Sequence, residues 1–233
     1  MKTNKHIERK RILVHLGCGP EVQPSDWIDC DGSWNVLSGK FPSPVRKMIL
    51  KCGQLTGIKL QEWPRHVRFF NLRKRFPFND SSVDAIYASH VWEHLSRFDA
   101  KKATQEAFRV LKEGAFLRLV VPDLYYFCQS YVLSNNENAA DLLLEELHLR
   151  DRGEKKSLLI HLYTIITDFH SHKWMYDARS LSKLLISAGF IDVSEKKCYE
   201  SAIPEIQQVE NPGRVSNEAG IAIEGMKPQN TSG

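Results

Sequence analysis

The feature that most constrains this chain is the place where its first apolar run stops. Ile12 to Leu16 is short, apolar and partly β-branched, and it runs straight into Gly17-Cys18-Gly19. Such a run reads as a buried parallel strand closed by a tight turn. The same unit then recurs in varied form. Trp27–Cys30 is a second short run, closed by Asp31-Gly32. Ser43 to about Leu55 reads as an amphipathic helix, with Val45, Met48, Ile49 and Cys52 on one side and Arg46, Lys47 and Lys51 on the other. His66–Phe70 and Val83–Ala88 are further strands, and Asp99–Lys112 is a helix with Ala103, Ala107, Val110 and Leu111 in one stripe. Gly114 stands where a C-terminal cap belongs. Phe116–Val121 is a fifth strand, stopped by Pro122. Alternation of this kind predicts an α/β fold: a Rossmann-like, mostly parallel seven-stranded sheet with helices on both faces.

After strand five the alternation breaks. From Leu124 to about Phe169 the chain is helical in character, with apolar faces from Tyr125, Tyr126, Leu142–Leu144 and Leu158–Ile166. The expectation is a helical cap, over roughly 123–176, above the carboxyl edge of the sheet. Asp177–Ala188 is a last helix ended by Gly189, and Ile191–Lys197 and Ala219–Glu224 complete the strands. A chain of 233 residues, 42% hydrophobic and 10% aromatic, fills one large core. Residues 1–233 are therefore read as a single domain, with a basic insertion at about 40–65.

No apolar stretch approaches the ~20 residues that span a bilayer, and the apolar run after Arg11 is too short and glycine-rich for a secretory signal. Five scattered cysteines without a C-x-x-C pair read as reduced thiols. The expected location is the cytoplasm, with a peripheral position at the inner face of the membrane as an option raised by the charge pattern. Between Lys40 and Arg75 lie Lys40, Arg46, Lys47, Lys51, Lys59, Arg65, Arg68, Arg73, Lys74 and Arg75, against Glu62 alone. The whole chain carries only +4, so the rest is mildly acidic. Such a block is either a solvated face or a contact for an anionic partner: phosphate, nucleic acid or membrane surface. No aromatic-interleaved basic motif of an RNA reader accompanies it, which argues against nucleic acid.

Glycines at the carboxyl end of a strand let the backbone approach a ligand. A dinucleotide fingerprint would add a third glycine and an acid ~20 residues on. Here Pro20 and Glu21 follow, and the second strand ends at Asp31, fourteen residues past Gly17. Asp31 is placed to accept from two ribose hydroxyls, and no donors for a pyrophosphate cluster nearby. A nucleoside ligand without phosphates fits better than NAD.

Several motifs in order resemble the class I S-adenosylmethionine-dependent methyltransferases, of the type 11 kind. Val14-His15-Leu16-Gly17-Cys18-Gly19 resembles the glycine-rich first motif, and Asp31 the acid ending strand two. Phe69-Phe70-Asn71-Leu72 with Phe76-Pro77-Phe78 is similar to the adenine-bracketing segment and its turn. Ser82–Tyr87 and Glu93-His94-Leu95, then Ala107–Ala115, then Leu184–Phe190, are similar to later motifs. The resemblance covers nearly the whole chain and is weakest over Leu124–Phe169. It implies S-adenosyl-L-methionine as cofactor, held by His15, Gly17, Cys18, Gly19, Asp31, Asn71, Leu72 and His90. His15 stands where the family usually has an acid, which bears on the contact to the methionine amino group; Asn71 replaces a common Asp. Asp31-Gly32-Ser33-Trp34 and the short link from Gly19 to Trp27 resemble a subgroup tied to surface polysaccharide and sugar modification.

The implied activity is methyl transfer (EC 2.1.1.-) to a hydroxyl of a sugar or another small or lipid-linked acceptor, with or without phosphate. A hydroxyl acceptor needs a base, and histidine suits neutral pH. The candidates are His90, His94, His161, His170 and His172, with His172 and His94 taken as catalytic. The dense run Phe169–Asp177, with its His, Lys, Trp and Tyr, fits a loop across the mouth of the site. His90 and His94, four apart on a short helix, would share a face. With Glu93 they are residues of metal-ligand type, but Glu93-His94 equally reads as a structural turn, and no metal ligand is assigned. The contrasting hypothesis is a methyltransferase-like protein that lacks catalysis and serves as a binding or scaffold subunit. His15 favours it; Asp31, the two glycines and Glu93-His94 weigh against it.

Overall fold

A computed structural model describes residues 10–22, 25–33, 35–55, 62–147, 171–217 and 220–229. Its strands are β1 (Leu13–Leu16), β2 (Ile28–Asp31), β3 (Arg68–Phe69), β4 (Val83–Ser89), β5 (Leu111–Pro122), β6 (Ile191–Lys196) and β7 (Gly220–Met226). They form one sheet in the order β3-β2-β1-β4-β5-β7-β6. Strands β1 to β5 pair in parallel, and β7 runs antiparallel to both β5 and β6. The described helices are α1 (Asn35–Ser38), α2 (Ser43–Leu55), α3 (Arg97–Val110), α4 (Leu124–Leu133), α5 (Ala139–Glu146) and α6 (Ala178–Ser187). The sheet is the Rossmann-like arrangement that the alternation predicts.

Strand order places the site. From β1 the chain winds outward through β2 and β3, then returns to lay β4 on the other side of β1. That reversal is a topological switch point, and ligands of such sheets bind outside the carboxyl ends of the strands there. Gly17 follows β1 and His90 follows β4, so the two motifs flank one crevice.

Alternation along the central strands divides the core between two faces. Val14, Leu16, Ile86, Ala88, Leu117 and Leu119 point to one face, where α3 and α6 cover them with Ala103, Ala107, Leu181 and Leu185. The small α3 residues let that helix lie close to the sheet. Its N-terminus is capped by Ser96, whose side chain accepts from the Asp99 amide. Leu13, Ala85, Tyr87, Val120 and Ala222 point to the other face. Among the described residues the covering there is irregular: Ile203, Ile206 and Val215, on a segment with a 3₁₀ turn (Ile206–Gln208) and a π turn (Gly213–Asn217). Pro204 and Pro212 interrupt that segment, so a regular helix does not form.

Two expectations are corrected. The helix before strand five ends at Val110, and Gly114 is not its cap. Leu111 is already extended and pairs with Val83, and Gly114, at φ +75°, bends β5 where its amide donates to the Lys227 carbonyl at 2.9 Å. The third strand shrinks from five residues to two, Arg68 and Phe69. Beyond β5, α4 and α5 pack beside each other; Leu158–Ile166 lies outside the described residues.

Candidate functional site

The first half of the crevice is built by β1 and β2. Gly17 and Gly19 adopt left-handed backbone, at φ +72° and +75°, which glycine reaches without strain. The Gly17 and Cys18 amides both donate to the Cys30 carbonyl, at 2.8 and 3.2 Å, folding the loop back over β2. A Cβ on Gly17 would overlap the Val91 side chain, whereas a Cβ on Gly19 would meet nothing within 4 Å. Gly17 is thus required by packing, and Gly19 borders open space. Asp31 ties the arrangement: Oδ2 accepts from the Gly19 amide at 3.2 Å and Oδ1 from the Ser33 amide at 2.8 Å. Each oxygen keeps capacity for a second donor. Burial raises the Asp31 carboxyl, and the amides of Ser33 and Gly19 oppose the shift. Burial, with Asp31 and Asp29 nearby, raises the Cys18 thiol, so it stays protonated. One strand further out, Asn71 is exposed and its Oδ1 accepts from the Arg73 amide, while Leu72 packs partly into the core. The Phe70 amide donates to the Asp31 carbonyl at 2.8 Å and holds this segment against β2.

His15 is turned to its own sheet neighbour. It is only 6% exposed, its Nδ1 lies 3.1 Å from Asp29 Oδ1, and its ring tilts against Tyr87 at 5.4 Å. The other Asp29 oxygen lies 3.4 Å from His66 Nε2. Asp29 and His66 drew no attention in the sequence; the signal was Asp29 standing directly opposite His15 in the β1–β2 register.

The second half of the site follows β4. His90 holds a left-handed φ of +56°, rare for a non-glycine, and its amide donates to the Val120 carbonyl. Such strained residues cluster at functional sites. Trp92–His94 forms a 3₁₀ turn rather than a helix reaching back to His90. His90 and His94 therefore share no helix face; they converge on Glu93, with His90 Nδ1 at 3.7 Å and His94 Nε2 at 3.9 Å from Oε1. Glu93 is fully buried, and neither carboxylate oxygen accepts a hydrogen bond among the described residues. Burial pushes its carboxyl up to about 8, against the pull of its own backbone and the positive charge of Arg214. Sequence reasoning noted Glu93 as part of a turn and as a residue of metal-ligand type, but nothing in one sequence reveals that a carboxylate is dry.

Ser171–Tyr176 crosses above this turn. The Lys173 and Trp174 amides both donate to the Glu93 carbonyl, at 2.7 and 3.1 Å. Tyr176 is buried and bridges to Asp123 at the end of β5, and the Leu124 amide donates to its carbonyl. Trp174 stacks under the Arg97 guanidinium at 4.5 Å. His94 Nδ1 lies 3.2 Å from the Ser171 carbonyl, and the His94 and His172 rings are 5.1 Å apart. The loop thus brings His172 to His94 and Glu93, from seventy-eight residues away in the chain. His161 and His170 lie outside the described residues.

The basic block is partly structural. Lys40 Nζ donates to the Arg65 and Val67 carbonyls at 2.5 and 2.7 Å, Arg46 pairs with Glu62 at 2.7 Å, and Arg73 lies 3.6 Å from Asp99. On α2, Val45 and Met48 are exposed. Among the described residues no helix is long and apolar enough to cross a membrane. A cavity of about 350 Å³ lies beside β6, lined by Asp192, Lys196, Glu200 and Glu224 and remote from the glycine loop.

Residues 14–119 match the family described as "Methyltransferase domain" (Methyltransf_11). The match takes in the glycine loop, Asp31 and Glu93-His94, and ends before His172. No curated protein matches the sequence. Among solved structures the chain is similar to the YcgJ protein of Bacillus subtilis, with 16% identity, a TM-score of 0.44, and coverage of 95% of this chain and 93% of that one. It is similar to an O-methyltransferase family protein from Burkholderia thailandensis at 12% identity and TM-score 0.44, over 95% of this chain and 52% of that one. It is also similar to the phosphoethanolamine N-methyltransferase 2 of Haemonchus contortus, solved with phosphomonomethylethanolamine and S-adenosylhomocysteine, at 11% identity and TM-score 0.46, over 94% and 49%. The chain spans about half the length of the last two proteins.

Proposed function

We propose that the protein transfers the methyl group of S-adenosylmethionine to a hydroxyl oxygen of a sugar or another small or lipid-linked acceptor. One observation carries the reading. The glycine loop with Asp31 at β1–β2 and a buried carboxylate–imidazole cluster after β4 flank one switch point. The loop and Asp31 fit the cofactor: Gly19 borders open space, and Asp31 keeps an acceptor site on each oxygen. Gly17, Cys18 and Gly19 would hold it through the backbone, Asp31 at the ribose, Asn71 and Leu72 at the adenine, and His15 and His90 at the methionine end. When bound, the sulfonium supplies an activated methyl group with a neutral leaving group.

The chain's own task is then to align the acceptor, exclude water and receive a proton. The Ser171–Tyr176 loop, anchored on the Glu93 carbonyl, covers the β4 side of the crevice. His172 takes the hydroxyl proton on its imidazole, and Glu93 beside it makes the resulting imidazolium part of a pair. The helices after β5 are the proposed cap over the acceptor, and the basic residues near α2 its contact to phosphate or to an anionic membrane surface.

Calorimetry with S-adenosylmethionine and S-adenosylhomocysteine tests the cofactor site, with Asp31→Ala as control. Micromolar binding abolished by the control supports the reading. No binding by the folded wild type would turn the assignment to a scaffold protein. His172→Ala then tests the base, in an acceptor screen starting with sugars; near-normal turnover would remove His172 from the chemistry.

A further inference from the structure

The chain exposes aromatic rings where it also gathers cations. Phe98, in the first turn of α3, is 66% exposed, and Trp174, in the Ser171–Tyr176 loop, is 40% exposed. Each ring carries a cation on one face. Lys102 Nζ lies 4.3 Å from the Phe98 centroid, and the Arg97 guanidinium lies 4.5 Å from that of Trp174. Lys101 is exposed beside them on α3. Exposed Arg73 joins the same corner through Asp99 at 3.6 Å, and exposed Lys74 follows it. Helix stability does not explain this placement. The helix dipole disfavours a cation at Arg97 and gains nothing from Lys101 and Lys102; Arg97 and Lys101 are also like charges four apart. The inner face of α3 is Ala100, Ala103, Thr104 and Ala107, so core packing asks nothing of Phe98. We propose that this corner docks on an anionic bilayer surface, with Phe98 and Trp174 at the headgroup level and the cations against lipid phosphate.

Charge and apolar surface both favour a bilayer. The nearby acids are turned to helix N-termini: Asp99 accepts from the Ser96 hydroxyl, Asp123 from the Tyr125 amide and Asp177 from the Ser180 amide. What remains outward is cationic, complementary to a leaflet of anionic lipid. Amphipathic aromatic side chains concentrate at such an interface. Helix α4 extends the surface. Tyr176 bridges to Asp123 immediately before it, and Leu124–Leu133 carries no charge and exposes Tyr125, Val132 and Leu133. Nucleic acid fits less well. A base stacks on a free aromatic face, whereas one face of each ring is already covered, and exposed valine and leucine offer a phosphate backbone nothing.

The corner lies at the mouth of the crevice. Helix α3 begins just after the Glu93 turn, and the Lys173 and Trp174 amides donate to the Glu93 carbonyl. A bilayer seated there presents a lipid-linked acceptor to the site. That consequence rests on the methyl-transfer reading; the docking surface itself does not. Near α2, by contrast, Lys40 is tied to backbone carbonyls and Arg46 to Glu62, which leaves that helix the weaker membrane contact.

Sedimentation of the full chain, without cofactor, tests the surface, using vesicles of phosphatidylcholine alone or with about one-third phosphatidylglycerol. The expected result is binding to the anionic vesicles, weakened by high salt. Each basic residue near such a surface is worth about fivefold in partitioning. Lys101→Glu with Lys102→Glu should therefore weaken binding at least about tenfold, and Phe98→Ser should weaken it as well. Lys47→Glu with Lys51→Glu, on α2, should not. Trp27, Trp63 and Trp92 are buried, so fluorescence quenching by lipids brominated in the acyl chains should fall in Trp174→Phe. Thermal melts establish that each variant is folded, and either α3 variant suffices if the other is not. Absence of binding, equal binding to neutral vesicles, or loss with the α2 pair but not the α3 pair overturns the surface. So does preference for a single-stranded RNA oligonucleotide over the vesicles. S-adenosylhomocysteine titrations on the same samples report separately on the glycine loop and Asp31.

Discussion

The two halves of the crevice are built on opposite plans. On the β1–β2 side the glycine loop and Asp31 are tied internally: Asp31 accepts from Gly19 and Ser33, and the loop amides donate to Cys30. On the β4 side a buried carboxylate has no hydrogen-bond donor among the described residues, and three imidazoles crowd around it. The first half is preorganised and costs little to keep folded. The second stores an unpaired charge or a proton, a state that persists only where surrounding structure imposes it.

Asp31→Ala should separate the halves most strongly. It removes charge-assisted bonds worth about 1.5–3 kcal/mol each, so nucleoside affinity should fall at least about 100-fold by calorimetry, with a much smaller change in melting temperature. A parallel loss of fold would mean the two halves are not independent. Next comes Gly17→Ala. The added methyl meets Val91 and the backbone sits at φ +72°, so urea denaturation should show a loss of roughly 2–3 kcal/mol. Because Val91 leads into the Glu93 turn, this variant should disturb both sides together.

The third test concerns the acid. Burial pushes the Glu93 carboxyl up to about 8 from an ordinary 4.5. The folded chain therefore holds an extra proton between those values, and stability falls as pH rises through that window. Glu93→Gln should match the wild type near pH 5 and melt about 5 °C higher by pH 9. A pH-independent gap would show that the carboxylate is not dry. The smallest effect is expected of Gly19→Ala. It should cost about 1 kcal/mol of stability, from the left-handed backbone alone, while lowering nucleoside affinity, since its methyl would point into open space.

Much of this was legible in the sequence because it rests on local patterning. The runs at Ile12–Leu16, Trp27–Cys30, Val83–Ala88 and Asp177–Ala188 each combine an apolar period with a stop signal, and the strands and helix lie there. Gly114 misled because a glycine after a helix resembles a cap, whereas here it bends a strand; only the pairing of Leu111 with Val83 decides between them. The approach of His172 to His94 is a tertiary fact, set by a loop that hydrogen-bonds a carbonyl and not a side chain, so no residue type announces it. The sharing of Lys40 and Arg46 between charge and structure was hidden for the same reason. One signal was overlooked: Arg118 interrupts the apolar run of β5 on the same face as Val120, and an inward arginine requires partners.

Those partners set the order in which the molecule can be assembled. Arg118 is fully buried, bonded to Glu210 at 2.7 and 3.0 Å, to the carbonyls of Lys197 and Glu200 at 2.9 Å, and within 3.5 Å of Glu224. Every one of them is made at least seventy-nine residues after the arginine. As the chain leaves the ribosome, β5 emerges carrying a guanidinium that must stay hydrated, because burying it alone would cost several kcal/mol. The central strands can pair but cannot close their second face until residues 197–224 arrive. The stretch 14–119, which matches the methyltransferase model, is thus not a folding unit by itself, and residues 197–224 complete the core that supports the first motif.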